Sequence, residues 1–456
     1  MARPTEISSE VLKGEKCFDS YLRCALHGAA LTVLGVENCG VISHAPQGCA
    51  YLVDSAFSWQ EADWTKTETL CTKLCEDEIV HGGEELLART ILEAKELNIG
   101  ALFVLSACGP EIVGDDIVAV CQDLEPQVPF KLIPIECAGY RGSQYDGIDI
   151  ALDVMLKKLV KDSGKKVPKS VCLIVPHANA NPTWMGDLAW VKQTLSQMGI
   201  QVVATLTHKT ALSKFDNLSS AEASLLLSHD AGKNAADYLS SEFGVEQICR
   251  EMPLPIGMSN TRRWLLELGE RFDAQEVAEK LVAEGERMVA ETLRRKGWGV
   301  SGESLEVRLL YRMPVAIIAD ATIGIPLVRF LFEELEMTPE LICLRSSQPR
   351  AREILEREVG DLGLDPKIVY NADVHKVRRG LDEVRPEAVF GSNVERHAIE
   401  GLGIPLIFEV VNPMRQFRLV DREYFGYSGI LNILELIQND FNDRWRSKER
   451  RYKARW

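Results

Sequence analysis

Three cysteines in the first quarter of the chain stand where a strand or helix is expected to give way to a glycine-containing turn. Cys24 begins the run Cys-Ala-Leu-His-Gly, Cys49 ends the run His-Ala-Pro-Gln-Gly-Cys, and Cys108 follows an apolar run and precedes a glycine. Cysteine thiolates hold iron–sulfur clusters, normally four to a cubane. Three thiolates are one short, so the pattern predicts a cluster that a second chain or a non-cysteine ligand completes.

The alternative for any one cysteine is simple core packing, because free cysteine behaves as a small hydrophobic residue and is often buried. The chain has 12 cysteines, and they show no compact spacing of the kind found in small disulfide-rich proteins. Reduced or metal-bound thiols in a cytoplasmic protein are therefore expected. Cys39, Cys71 and Cys75 also lie near the three motif cysteines, and we assign them structural roles.

Length and composition limit the class of protein. A chain of 456 residues is long enough for two or three domains. A formal net charge of −15 argues against nucleic acid as a partner, since no basic field would neutralise phosphates. No apolar run is long enough for a membrane span and the N-terminus lacks a signal-peptide core, so no membrane association is expected.

Short apolar strands alternate with helical patterns along the chain. Strands are predicted at 101–108, 131–137, 171–175, 202–206, 225–227, 315–319, 341–344, 368–370, 388–390 and 406–408. Helices are predicted at 21–36, 84–97, 115–124, 147–159, 185–198, 232–243, 261–268, 274–296 and 429–456, and residues 1–20 and 69–80 are expected to be irregular or polar. Such alternation is typical of parallel sheets covered by helices.

The predicted fold class is therefore α/β, with three Rossmann-like, doubly wound domains and a C-terminal helix. A linker at 162–168 and a loop-like break at 297–306 place the domains at 1–163, 164–300 and 301–456. None of the three shows a dinucleotide-binding or P-loop glycine motif. The chain itself is therefore not expected to hydrolyse ATP.

Five motifs in the first domain carry a family resemblance. They are Cys24-x3-Gly28-Ala29, Leu34-Gly35-x-Glu37, His44-x-Pro46-Gln47-Gly48-Cys49, Glu76-Asp77-x2-Val80-x-Gly82-Gly83 and Cys108-x2-Glu111-Ile112-Val113-Gly114-Asp115-Asp116. Together they resemble the catalytic component of nitrogenases and nitrogenase-like reductases. The interval from Cys24 to Cys49 resembles the β-type subunit, as do Pro255-Ile256-Gly257-x3-Thr261, Gly426-Tyr427-Ser428-Gly429 and the tail ending in Trp456.

The resemblance implies an α2β2 heterotetramer with an eight-iron P-cluster, [8Fe-7S], at each α/β interface, to which each side contributes three cysteines. Cys24, Cys49 and Cys108 would be this chain's half, and Gln47 and Gly48 would lie around the cluster. Gln47 can equally be a plain turn residue. The active-site cofactor, a large iron–sulfur cluster, would be held by the α-type partner. No catalytic residue is therefore expected in this chain.

Four positions depart from the family pattern or leave a role open. Gly139 stands where β-type subunits place a serine that can ligate the oxidised cluster, and Cys137 is either its substitute or a core residue. His81 stands where an aromatic residue faces the ATP-dependent iron protein, and it is either a docking residue or a solvated histidine. His229 resembles a cofactor ligand in position, but no cysteine accompanies it, as β-type subunits lack that site.

The expected function is electron relay: a homodimeric, ATP-dependent iron protein docks transiently, and electrons pass through the P-cluster to the partner's cofactor. The short chain and the variant residues Ala45, His81 and Gly139 favour a nitrogenase-like reductase, such as a methylthio-alkane reductase that cleaves carbon–sulfur bonds. Dinitrogen reduction, as in a non-molybdenum nitrogenase, is the alternative. A cofactor-assembly scaffold, a tetrapyrrole reductase with an interfacial [4Fe-4S] cluster, and a metal-free interaction protein also stay open.

Overall fold

The computed structural model describes residues 21–60, 67–177, 181–295, 311–399, 401–411 and 420–449. The predictions for residues 1–20, for the break at 297–306 and for the tail ending in Trp456 lie outside the described residues. Contacts group the chain into an amino-terminal unit, 22–179 with 199–250, and a carboxyl-terminal unit, 1–21 with 180–198 and 251–456. The three domain segments proposed from the sequence stay a prediction.

The amino-terminal unit is built from short strands and helices in alternation. Its strands are β1 (Val36–Glu37), β2 (Cys39–His44), β3 (Thr67–Cys71), β4 (Ala101–Ser106), β5 (Lys131–Glu136), β6 (Val167–Ile174), β7 (Gln201–Leu206), β8 (Thr210–Ala211), β9 (Ala221–Leu226) and β10 (Glu246–Ile248). Its helices are α1 (Ala25–Val33), α2 (Gln47–Gln60), α3 (Glu76–His81), α4 (Glu84–Glu93), α5 (Cys108–Val113), α6 (Ile117–Leu124), α7 (Gln144–Leu159) and α9 (Lys233–Phe243).

Two four-stranded parallel sheets lie in this unit, with strand orders β3-β2-β4-β5 and β10-β9-β6-β7. The central strands β2 and β4 are buried along their whole length. Continuous apolar strands of this kind are expected where helices cover both faces of a parallel sheet. Helices α1 and α7 supply one apolar face, while α4 and α6 supply the other.

Two glycines allow α1 and α7 to approach closely. A Cβ added at Gly28 would lie 1.8 Å from the carbonyl oxygen of Gln144, and one added at Gly147 would lie 1.9 Å from that of Ala25. Any larger residue would push the helices apart. This contact fixes the start of α1, and with it the position of Cys24.

The carboxyl-terminal unit contains a third parallel sheet. Its strands are β11 (Pro314–Ala319), β12 (Thr338–Leu344), β13 (Lys367–Val369), β14 (Ala388–Gly391) and β15 (Leu406–Glu409), in the order β13-β12-β11-β14-β15. Its helices are α8 (Trp184–Gln197), α10 (Met258–Arg271), α11 (Gln275–Arg295), α12 (Ala321–Arg329), α13 (Pro349–Asp361), α14 (Val374–Val384), α15 (Glu395–Ala398) and α16 (Gly426–Glu449). Three parallel sheets and a final described helix confirm the predicted α/β fold class.

Several element boundaries differ from the sequence predictions. The first helix begins at Ala25 rather than residue 21, because Cys24 has an extended backbone and acts as its N-cap. The stretch 69–80, predicted as merely polar, is largely made up of the end of β3 and helix α3. Within the described part of the chain, no helix combines the length and apolarity of a membrane span.

Candidate metal centre

The three motif cysteines lie at the carboxyl edge of the β3-β2-β4-β5 sheet or beside it. Cys49 lies in the first turn of α2, which follows β2, and Cys108 is the first residue of α5, which follows β4. Cys24 precedes α1 and reaches the same edge, where its backbone bridges Ser143 just after β5. Carboxyl ends of parallel strands meet at one edge of a sheet, so three distant segments converge there.

Gly139, in the turn after β5, lies between two of these thiols. Its backbone N–H donates to the Cys108 Sγ at 3.1 Å. A Cβ added at Gly139 would lie 3.1 Å from the Cys108 sulfur and 3.4 Å from that of Cys24. A side chain at residue 139 would therefore crowd both sulfurs, and glycine leaves the space beside them open.

Cys49 is electrostatically coupled to the other thiols. Burial raises the pKa of its thiol, and the negative charges of Cys108, Cys24 and Cys71 raise it further. This coupling agrees with the convergence of their segments at one edge of the sheet. A bound iron–sulfur cluster would offset the repulsion between the thiolates, because metal binding requires and stabilises the deprotonated form of each thiol. All three motif cysteines are partly exposed.

Glu111 holds the turn that contains Gly139. Its carboxylate accepts hydrogen bonds from the backbone N–H of Ala138 at 3.0 Å and from the Tyr140 hydroxyl at 2.9 Å. Arg141 Nε donates at 2.7 Å to Oε2, the oxygen that also accepts from Tyr140, and the Ser106 hydroxyl donates to Oε1, the oxygen that accepts from Ala138. Burial acts to raise the pKa of Glu111, but these hydrogen bonds hold that pKa below its usual value.

His44 and Asp115 tie the loop of residues 81–83 to the sheet. The His44 Nε2 lies 2.9 Å from an Asp115 oxygen, and the backbone N–H of Gly83 donates to the same carboxylate at 2.9 Å. Burial lowers the pKa of His44 despite the opposing effect of Asp115. The imidazole thus serves as a neutral crosslink, which agrees with a structural role.

The remaining candidate residues occupy varied positions. Gln47 and Gly48 are exposed in the first turn of α2, and His81 is exposed at the end of α3. His229 is half-buried in the loop between β9 and α9. Cys137 is fully buried in the core, where its thiol donates to the Ser106 carbonyl oxygen at 3.7 Å and burial raises its pKa strongly.

Four exposed side chains, called the apolar rim here, lie on α2, α3, α5 and the turn after β5; they are Tyr51, Val80, Ile112 and Tyr140. These four side chains are 73%, 71%, 74% and 58% exposed. Tyr51 lies two residues after Cys49, Ile112 lies in α5, and Tyr140 contacts Glu111. Large apolar side chains that cluster on a surface mark interaction sites.

The donor set fits an iron–sulfur cluster. Soft thiolates favour iron–sulfur groups, and an N–H aimed at a ligating sulfur is the kind of contact that tunes such a group. Among the described residues, no three His, Cys, Asp or Glu side chains are arranged around a single metal ion. A cluster is a different case, since each thiolate binds a different iron atom.

Sequence reasoning did not find two features of this site. Glu111 belonged to a motif but received no role, and the motif gave no sign that its carboxylate reaches the turn after β5. Cys71 was assigned a structural role, and the sequence did not indicate that its thiol donates to the Ala45 carbonyl oxygen in the turn that leads to Cys49. In the sequence, only the position of Cys71 at the start of a short polar stretch could have pointed to this contact.

Comparisons with known proteins agree with the fold. A family model described as nitrogenase component 1 type oxidoreductase matches residues 24–442. A solved structure titled nitrogenase Cp1 at pH 6.5 superimposes with a TM-score of 0.77 over 97% of this chain and 98% of that chain, at 18% identity.

Curated relatives are distant in sequence. The nitrogenase vanadium-iron protein beta chain of Trichormus variabilis is 25% identical over 91% of this chain and 92% of its own length. The nitrogenase molybdenum-iron protein alpha chain of Methanosarcina barkeri is 27% identical over 60% of this chain and 52% of its own. The nitrogenase iron-molybdenum cofactor biosynthesis protein NifE of Methanococcus maripaludis is 24% identical over 91% and 82%.

Proposed function

Because this chain belongs to the nitrogenase component 1 type oxidoreductases, we propose that it is a β-type subunit that holds half of an interfacial iron–sulfur cluster. The chain is an oxidoreductase subunit of the nitrogenase family. The match to a beta chain over 91% of this chain and 92% of that chain, against 60% and 52% for an alpha chain, supports the β-type assignment. The observation that carries the proposal is the convergence of three thiols from separate segments at one sheet edge.

Cys24, Cys49 and Cys108 would hold the cluster, and the P-cluster, [8Fe-7S], is the form that the resemblance favours over an interfacial [4Fe-4S]. When bound, such a group transfers single electrons at low potential. This chain's residues keep it in place: Gly139 leaves room between two thiols and donates its N–H to the Cys108 sulfur. Glu111 fixes that turn, so the donor stays aligned.

The apolar rim supports an obligatory partner. Exposed tyrosine and branched apolar side chains on the elements that carry Cys49 and Cys108, and on neighbouring segments, fit a surface that an α-type subunit covers in an α2β2 heterotetramer. The cluster would then be buried at the subunit interface. His81 would contribute to the face that receives the ATP-dependent iron protein. The reaction would take place on a large iron–sulfur cofactor in the partner, since His229 has no accompanying cysteine.

The substrate of the complex is a separate proposal. Reductive carbon–sulfur cleavage of methylthio-alkanes rests on the variant residues Ala45, His81 and Gly139 alone, and the relatives named above include no thioether reductase. Dinitrogen reduction is the alternative that the similarity to a vanadium-iron beta chain supports. A cofactor-assembly role is a second candidate, because the NifE protein matches over most of both chains.

The decisive experiment is anaerobic purification of the chain with its natural partner, followed by iron and sulfide analysis. We expect about eight iron atoms per interface, in addition to those of the partner's cofactor, and loss of the interfacial iron signal in Cys24→Ala, Cys49→Ala and Cys108→Ala. Cys75→Ala is the matched control, because this exposed thiol lies at the N-cap of α3. Retention of the full iron signal in all three variants would refute the proposal.

Turnover assays on the same preparation separate the remaining candidates. With an iron protein and ATP present, ammonia indicates dinitrogen reduction, while methane or ethylene from thioethers indicates carbon–sulfur cleavage. A cluster-loaded complex that turns over neither substrate but releases its cofactor to another apoprotein would indicate a scaffold.

A further inference from the structure

His44 is the last residue of β2 and is fully buried at the carboxyl edge of its sheet. The turn that follows it leads to Cys49. The His44 carbonyl oxygen accepts from the backbone N–H of Ala107 at 3.1 Å, and Ala107 is the residue before Cys108. The backbone of His44 therefore joins the segments that carry two of the candidate ligands.

The two ring nitrogens of His44 bond in opposite directions. Nε2 lies 2.9 Å from an Asp115 oxygen, and Nδ1 lies 3.2 Å from the Thr72 hydroxyl oxygen. Burial lowers the pKa of His44, so the ring is neutral at pH 7. Because a carboxylate only accepts, the ring proton lies on Nε2, and Nδ1 accepts from Thr72. The same hydroxyl accepts from the Ala45 N–H at 3.1 Å.

The loop after α3 forms the other end of this series of hydrogen bonds. The Gly83 N–H donates to both oxygens of Asp115, at 2.9 Å and 3.1 Å. A Cβ added at Gly83 would lie 3.0 Å from the His44 ring and 2.6 Å from the Leu74 side chain, so the loop packs directly on the ring. The exposed His81 ends α3, immediately before this loop.

A continuous series of hydrogen bonds thus connects the exposed loop with the turn before Cys49. Its members, in order, are Gly83, Asp115, His44, Thr72 and Ala45. The three side chains in the middle are buried. Buried hydrogen bonds are strengthened by the low local dielectric and are costly to leave unmade. A displacement of the loop is therefore expected to move the turn with it rather than to break the series.

We propose that His44 is a positioning residue that couples the loop at Gly83 to the turn that carries Cys49. An iron protein that binds on the face of His81 would thereby change the surroundings of the cluster. The inference rests on the proposed function, which supplies both the cluster and the docking partner. Hydrogen bonds and backbone groups around a ligating sulfur tune an iron–sulfur group, so docking changes the spectrum of the cluster.

The first test measures hydrogen exchange by mass spectrometry in the iron-free full chain. Thr72→Val removes the hydroxyl from the middle of the series, and we expect about three- to tenfold faster exchange in the peptide that contains Gly83. Thr72→Ser keeps a hydroxyl and should restore the wild-type rate. Thr90→Val is the matched control, because its hydroxyl donates to the Leu86 carbonyl oxygen within α4. Equal exchange at Gly83 in the wild type and Thr72→Val would overturn the inference.

The second test uses the cluster-loaded complex with its natural partner subunit. Electron paramagnetic resonance spectra are recorded with and without the iron protein and a non-hydrolysable ATP analogue. We expect the spectra of the wild type and Thr72→Ser to shift on docking. The spectrum of Thr72→Val should stay unchanged although the iron protein still co-sediments with the complex, a loss that a purely structural role does not predict. An equal shift in Thr72→Val, or no shift in the wild type, overturns the inference.

The cysteine variants separate this inference from the proposed function. If Cys49→Ala loses the interfacial iron while Thr72→Val behaves as the wild type in both tests, only the role of His44 is refuted. If all three cysteine variants keep the iron, the proposed function fails and this inference falls with it. Circular dichroism checks that Thr72→Val folds. Should it not fold, His44→Gln replaces it, because a glutamine amide can take the place of Nε2 but not of Nδ1.

Discussion

Replacing Glu111 with alanine tests whether this carboxylate holds the turn at Gly139. The Glu111 side chain is 5% exposed, and it accepts from two buried donors, the Ala138 N–H and the Ser106 hydroxyl. An unsatisfied buried donor costs about 1–3 kcal/mol. Tyr140 and Arg141 are exposed enough to regain water. We therefore expect a loss of about 2–4 kcal/mol in the free energy of unfolding.

The assay is urea unfolding of the iron-free chain, followed by circular dichroism. Glu136→Ala is the matched control, because Glu136 also lies near Arg141, at 3.5 Å, but is 50% exposed. An exposed pair of this kind contributes about 0–1 kcal/mol. If the two variants differ by less than about 1 kcal/mol, Glu111 does not organise the turn.

The pH dependence gives an independent check. The pKa of Glu111 is lower in the folded chain than its usual value, so the folded state favours the ionised form. Its stabilising contribution is present above the unfolded-state pKa of about 4.3 and is lost as the pH falls through the folded-state pKa. The stability difference between wild type and Glu111→Gln should therefore shrink on acidification. A difference that stays constant from about pH 6 to pH 3 would contradict the assignment.

Two further substitutions follow from local geometry. Burial raises the pKa of Asp187 to about 7, so stability should fall by up to about 1.4 kcal/mol per unit as the pH rises from about 4 to 7. Asp187→Asn keeps an oxygen that accepts from the Phe425 N–H and should remove that slope in thermal unfolding, whereas an unchanged slope would contradict the assignment. Gly139→Ala should cost about 1–3 kcal/mol in urea unfolding, because its Cβ would lie 3.1 Å from the Cys108 sulfur. The control Gly48→Ala, with no atom within 4 Å of its Cβ, should be neutral or stabilising by up to about 1 kcal/mol, and equal effects would contradict the crowding at Gly139.

Local pattern was enough to predict most of the strands and helices. The run at 101–108 contains β4, because six consecutive buried residues bounded by glycines leave few alternatives to a central parallel strand. Strand β2 was not predicted, although all six of its residues are buried. Its sequence, Cys-Gly-Val-Ile-Ser-His, mixes polar and small residues, so burial came from its neighbours in the sheet rather than from its own hydrophobicity.

The same limit applies to the edge strand β3, whose residues are mostly partly exposed. A polar edge strand has little hydrophobic signal, and its hydrogen bonds to β2 define it. The contacts of Glu111 and Cys71 depend on this kind of pairing. Each side chain contacts a segment about 26–30 residues away in the chain. Local sequence periodicity cannot predict contacts over that separation.

The sequence by itself singled out Cys24, Cys49 and Cys108 as candidate iron ligands, because each stands next to a predicted turn. It also determined the α/β class, since alternating apolar strands and amphipathic helices bury their faces in only a few ways. The tertiary structure decided which sulfurs meet. The order β3-β2-β4-β5 sets the ends of β2 and β4 side by side, so that the segments of Cys49 and Cys108 come together while Cys137 is buried in the core. The order of the strands decides which segments lie next to each other, and the packing of the whole sheet fixes that order.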